Sequence, residues 1–190
     1  MSLVPAFEIG IWNAWVFIIY QLLAVPFLYY IAGKRGSTHD EKLDLPTAKR
    51  VIAGSTKILS FPILIYSIFV PLKLGTMWFY IGLPITLLGI VTSIIALVNW
   101  ATTPTNTPIT KGLYRFSRHP MYIADFLLFL GLGVATASWI FLLFSILWLA
   151  TNSILGNYEE QDCLDKYGDA YRKYMERTPR WVGIPRSEAK

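Results

Sequence analysis

From Thr76 to Trp100 the chain carries no charged side chain, and no other feature constrains its fold as much. Wound as a helix at 1.5 Å per residue, such a block is about 37 Å long, enough to cross a hydrocarbon core of about 30 Å. Ile11 to Ala32 is equally uncharged. Apolar residues make up 54% of the 190 and charged ones only 15%, and the apolar residues come in blocks rather than in amphipathic alternation. The chain therefore reads as an integral membrane protein. Its first ten residues, MSLVPAFEIG, lack the basic n-region of a cleaved signal peptide, so the first apolar block is kept as a span.

Three further spans follow from the same criterion. Residues 51–72 form one, with Lys57 able to snorkel to the near interface and Pro62 and Pro71 as kink points. Ile123 to Leu155 holds a single ionisable residue, Asp125, and is too long for one crossing but sufficient for two short ones joined near Ser138 and Trp139. The expected fold is an all-α, polytopic membrane bundle of five transmembrane helices, at about 11–32, 51–72, 76–100, 121–137 and 139–157. The last two form a helical hairpin, and a C-terminal helical segment follows. All 190 residues are read as a single domain.

Loop charge orients these spans. GKRGSTHDEKLDLPTAKR after the first span, the linker with Lys111, Arg115 and Arg118, and the C-terminal segment are all basic, whereas the opposite side offers little beyond Glu8 and Lys73. The positive-inside rule then places the N-terminus outside and the C-terminus in the cytosol. The net charge of +5 is thereby explained by topology and attraction to anionic lipid, and nucleic-acid binding is excluded for want of any recognition motif. A single cysteine, Cys163, rules out an intramolecular disulfide, and no Cys/His spacing suggests a metal site.

Polar chemistry collects on the cytosolic side. In the linker NWATTPTNTPITKGLYRFSRHPMY, Pro104 and Pro108 oppose helix, while Pro120 suits the first turn of the fourth span. His119, preceding that proline, belongs to the lead-in turn. Its ring is either an interfacial group bonded to a loop carbonyl or part of an anion site at a helix N-terminus. Glu159 and Glu160 end an uncharged span, where desolvation calls for a cationic partner. Leu164, Tyr167, Tyr171 and Tyr174 make one stripe on a helix, readable as a bilayer-lying face or as a ligand wall, and Gly168 within it permits a bend. Arg177, Arg180 and Arg186 are readable as lipid-facing charges, and Asp125 as an interfacial acid complementing its helix dipole.

The series GLYRFSRHPMY, apolar hairpin, EE, YGDAYRKY and a Pro/Arg ending resembles the isoprenylcysteine carboxyl methyltransferase family and the related phospholipid N-methyltransferases. The resemblance covers roughly Asn99 to Pro185 and rests on order and spacing. It implies methyl transfer from S-adenosylmethionine, giving S-adenosylhomocysteine, to a lipophilic acceptor entering from the bilayer, with the cofactor enclosed by region 99–185 and no metal. Carried over by position, the cofactor residues are Asn99, Asn106, Thr107, Pro108, Ile109, Tyr114, His119, Pro120, Met121, Tyr122 and Glu159, with Glu160 in support. Glu159 and Arg177 are the implied catalytic candidates.

Two departures bear on the acceptor. Asn106-Thr107-Pro108-Ile109 stands where the isoprenylcysteine enzymes have a His-x-Leu-Val stretch, and Leu155 stands where they have an arginine implicated in substrate binding. A prenylcysteine-like carboxylate is the leading acceptor, with a lipid, amine or thiol open. The competing classes are a sterol-type membrane reductase using NADPH and a non-catalytic membrane scaffold.

Overall fold

A computed structural model describes residues 7–34 and 60–185, which are helical apart from turns and one isolated antiparallel bridge between Asn13 and Pro71. The α-helices are α1 (Trp15–Lys34), α2 (Ser60–Phe69), α3 (Met77–Ala101), α4 (Pro120–Ala135), α5 (Trp139–Tyr167) and α6 (Asp169–Arg177), with a 3-10 turn at Gly112–Arg115. Lys57, Arg186, residues 51–59 of the expected second span and most of the basic loop after α1 lie outside the described residues. Among those described, α3 and α5 are long and apolar enough to cross a membrane, while the apolar part of α1, α2 and α4 are shorter. At 16 residues α4 spans about 24 Å. Among the described residues the helices thus form an all-α, apolar bundle in which two are long and apolar enough to cross a membrane.

The centre of the bundle is the α3/α4 seam. Gly82, Thr86, Gly89, Ser93 and Ala96 recur at alternating spacings of four and three and are all buried. Against them α4 sets Ala124, Leu128, Gly131 and Ala135. A Cβ at Gly89 would fall 2.5 Å from the Leu128 backbone nitrogen, and one at Gly131 2.4 Å from that of Thr86, so the two backbones touch. Between membrane helices the apolar surroundings provide no hydrophobic drive, and such close van der Waals approach is what small residues permit.

The hairpin between α4 and α5 is as expected. Ala137, at φ 53, closes the turn in the left-handed region, and Ser138 N donates to Gly133 O at 2.9 Å. Phe129 meets Phe144 edge-on at 4.6 Å below it, and Ser138 Oγ and Tyr66 Oη share a 2.7 Å hydrogen bond that ties in α2.

Three expectations change on packing. α5 does not end with the apolar run at 157 but runs on through both glutamates to Tyr167, 29 residues in all, because neither Glu159 nor Glu160 breaks a helix. The aromatic stripe is divided between two helices: Gly168, at φ 54, caps α5 and starts α6 in another direction. Asp125 is not simply an interfacial acid, since Gln21 Nε2 of α1 donates to its Oδ1 at 3.0 Å.

Candidate functional site

The site grows from the turn into α4. Pro120 occupies the first helical position, which leaves His119 as the N-cap with extended-side backbone (φ −128, ψ 58) and its N–H donated to Ser117 Oγ at 3.0 Å. That geometry directs the ring inward, where it is only 7% exposed. Its Nε2 lies 2.8 Å from Glu160 Oε1, and Nδ1 lies 3.7 Å from Glu159 Oε2, so the imidazole stands between the two acids. One face stacks on Tyr122, with centroids 5.3 Å apart and planes within 5°. Tyr122 in turn donates its hydroxyl to Glu159 Oε1 at 2.5 Å.

The two glutamates differ in surroundings. The Glu160 side chain is 10% exposed and receives Arg118 Nη1 at 3.1 Å, with Arg180 Nε at 3.6 Å. Two guanidiniums and an imidazole therefore answer the desolvation that the sequence posed. Glu159 is 44% exposed and reaches only the Nδ1 edge of the His119 ring. Consecutive helical residues point about 100° apart, and this is enough to put one acid in the ion cluster and the other at its rim.

Gly156 makes the arrangement possible. A Cβ there would lie 3.0 Å from His119 Cε1, 3.1 Å from Nε2 and 3.4 Å from Arg180 Nη2. The bare helix face is thus the surface on which ring and guanidinium rest. Arg180 also donates Nη2 to Ser153 O at 2.7 Å, and its guanidinium lies over the Trp181 ring.

The C-terminal segment closes over this cluster. Arg118 N donates to Pro179 O and Gly183 N to Phe116 O, both at 3.1 Å, while Ser117 Oγ donates to Arg180 O at 3.2 Å. These bonds bind a strap, residues 178–185, along the chain that leads into His119. Tyr174 Oη donates to Tyr114 O at 2.7 Å, and Tyr167 Oη to Thr105 O at 3.0 Å. The α6 tyrosines thus face inward, Tyr171 and Tyr174 being 6% and 7% exposed, and the bilayer-lying alternative for them is set aside. Burial pushes both phenols above their ordinary value, so they remain neutral donors.

Of the residues singled out from sequence, the structure brings together His119, Tyr122, Glu159 and Glu160. Tyr114 is buried under α6, and Ile109 and Met121 pack on Leu97, Trp100 and Ala101 beside Pro120. Asn99 faces Gly112, whose φ of 59 and missing Cβ leave space for the amide, and its Nδ2 is buried with no hydrogen-bond partner among the described residues. Asn106 and Thr107 are exposed in the linker, Pro108 half-exposed, and Thr107 Oγ1 turns back to Pro104 O. Arg177 is exposed at the end of α6, where it lines a cavity of about 290 Å³ with Arg118. Arg180, read from sequence as a lipid-facing charge, is instead turned into the cluster, Arg118 was read only as a topology charge, and Gly156 was not singled out; the need of Glu160 for a cation was the signal available.

Residues 70–170 match the family described as phospholipid methyltransferase. The chain belongs to that family. The matched stretch runs from the turn before α3 through the hairpin and both glutamates to the start of α6, so it contains the seam, the His119 turn and the acid pair. The family is related to the isoprenylcysteine carboxyl methyltransferases, as the motif series implied. No curated protein matches the sequence as a whole. Family and apolar helices together make this a membrane methyltransferase, which leaves the reductase and scaffold classes without support.

Proposed function

We propose that the protein transfers a methyl group from S-adenosylmethionine to a lipophilic acceptor at the cytosolic face of a membrane, with a prenylcysteine-like carboxylate as the acceptor. The single observation that carries this reading is the His119–Tyr122–Glu159–Glu160 cluster inside the stretch matched to a methyltransferase family. Five crossings, with the N-terminus outside and the strap in the cytosol, are part of the proposal.

The residues present fit such a cofactor. Asn99 Nδ2 is a buried donor with no hydrogen-bond partner among the described residues, and Gly112 keeps the space around it clear. When bound, S-adenosylmethionine supplies an electrophilic methyl group on a sulfonium and adds net positive charge to the site. Glu159, at the rim, is placed to accept from ribose hydroxyls or to offset that charge, and Asn99 to donate to an acceptor oxygen or ring nitrogen of the cofactor. Glu160 is committed to Arg118, His119 and Arg180 and so fixes the ring rather than reacting. His119 and Tyr122, stacked, make one rigid wall that aligns the reactants and excludes water.

A carboxylate acceptor is supported by charge. Glu160 alone is met by both Arg118 and Arg180, so the cluster around it holds more guanidinium than carboxylate charge and favours an anionic nucleophile, which needs no general base. A second acceptor class, a lipid amine, is favoured by Asp125, one turn along α4 from Tyr122 and held by Gln21.

Detergent-purified protein should gain thermal stability with S-adenosylhomocysteine and none with NADPH, because a ligand that binds the folded state preferentially raises its apparent stability. No shift at millimolar S-adenosylhomocysteine, together with no labelled-methyl transfer to prenylcysteine analogues, lipid amines or lipophilic thiols, would end the methyltransferase reading.

A further inference from the structure

The strap exposes apolar side chains where a water-facing segment would carry polar ones: Val182 is 74% exposed, Ile184 88%, and Phe116, whose carbonyl receives Gly183 N, 50%. Because Gly183 pairs with Phe116 and Val182 and Ile184 flank it, the three form one patch. Its depth is set by Arg180, whose guanidinium donates to Ser153 O inside the apolar run of α5, next to Ile154, itself 50% exposed on the helix surface. Val182 is two residues on, within about 7 Å of chain. Arg180 thus ties the strap to an apolar helix that itself exposes Ile154. Cations border it: Arg115 precedes Phe116, and Arg177 lines with Ile184 the cavity beside Arg118, Glu176 being the one acid there.

We infer that Phe116, Val182 and Ile184 are seated in the headgroup–acyl boundary of the bilayer, with Arg115 and Arg177 against anionic headgroups. Apolar side chains ringed by Arg and Lys are the composition that partitions to that depth. The inference is independent of the acceptor. The same backbone bonds that hold the strap to Phe116 and Arg118 lead directly into His119, so seating the patch also fixes the lip of the pocket at the level where a lipid-borne acceptor arrives.

The test places an environment-sensitive fluorophore on full-length protein in nanodiscs. Val182→Cys and Ile184→Cys are made in a Cys163→Ser background, with Asp169→Cys, 89% exposed at the start of α6, as reference. Lipids spin-labelled near the acyl carbonyl should quench the strap labels at least about twofold more than the reference, and more so when anionic lipid is added. Quenching at 182 and 184 no greater than at 169, with equal access to aqueous iodide, would overturn the seating. No response to anionic lipid would overturn the role of the arginines. A strap signal that changes with the number of protein copies per disc and not with the lipid quencher would assign the patch to a second copy instead.

Discussion

Gly156→Ala separates the site from the fold. The added methyl would meet His119 Cε1 and Nε2 at 3.0 and 3.1 Å, closer than ordinary contact by a few tenths of an ångström, and Arg180 Nη2 at 3.4 Å. Tyr122, stacked on one face, opposes motion perpendicular to the ring, and Glu160, holding Nε2 at 2.8 Å, opposes motion within its plane. Relief must come from lengthening the His119–Glu160 contact. A hydrogen bond to a charged group contributes about 1.5–3 kcal/mol, and losing half of it costs about 0.75–1.5 kcal/mol. Expressed in binding, that is a roughly four- to twelvefold weaker affinity for S-adenosylhomocysteine. Stability responds differently, because alanine is favoured over glycine in a helix by up to about 1 kcal/mol, against an overpacking cost of about 1–3 kcal/mol. The variant should stay folded with a melting temperature within a few degrees of the parent. The assay is calorimetric titration with S-adenosylhomocysteine beside a thermal melt. An unchanged dissociation constant in a normally melting Gly156→Ala protein would show that binding does not depend on where the His119 ring lies.

Other perturbations sort the remaining residues. His119→Ala and Glu159→Ala should each reduce the thermal shift given by S-adenosylhomocysteine, whereas Asp125→Asn should leave it nearly intact; equal shifts in all three would return His119 and Glu159 to structural roles. Glu160→Gln should lower stability by about 3 kcal/mol, since it strips a buried charge from Arg118 and Arg180, while Glu159→Gln, with its side chain 44% exposed, should stay within about 1 kcal/mol in denaturant melts. Gly89→Leu should separate α3 from α4 and cost more than about 3 kcal/mol, read as loss of monodisperse folded protein, because its side chain would meet the Leu128 backbone.

Sequence alone determined what local rules govern. An uncharged block of this length reads as an apolar helix, Pro120 suits the first turn of one, and an acid pair at the end of such a helix calls for cations, so α3, α4, the hairpin and the identity of the polar face were legible. Motif order was enough to point to the methyltransferase family that the match at residues 70–170 shows. Which cations answer Glu160 was not legible: Arg118 lies 42 residues before it, and Arg180 arrives on a strap beyond a second helix. Nor could the sequence tell that Glu160 goes to the cluster and Glu159 to its rim, that Gly156 is the surface under His119, or that Gly168 turns the tyrosines inward. Periodicity and propensity act over a few residues, whereas these placements depend on how close two helices approach. That distance is set by glycines where α4 meets α5, Gly133 against Leu142 and Gly156 against His119, and by the strap bonds, and it exists only once the chain is packed.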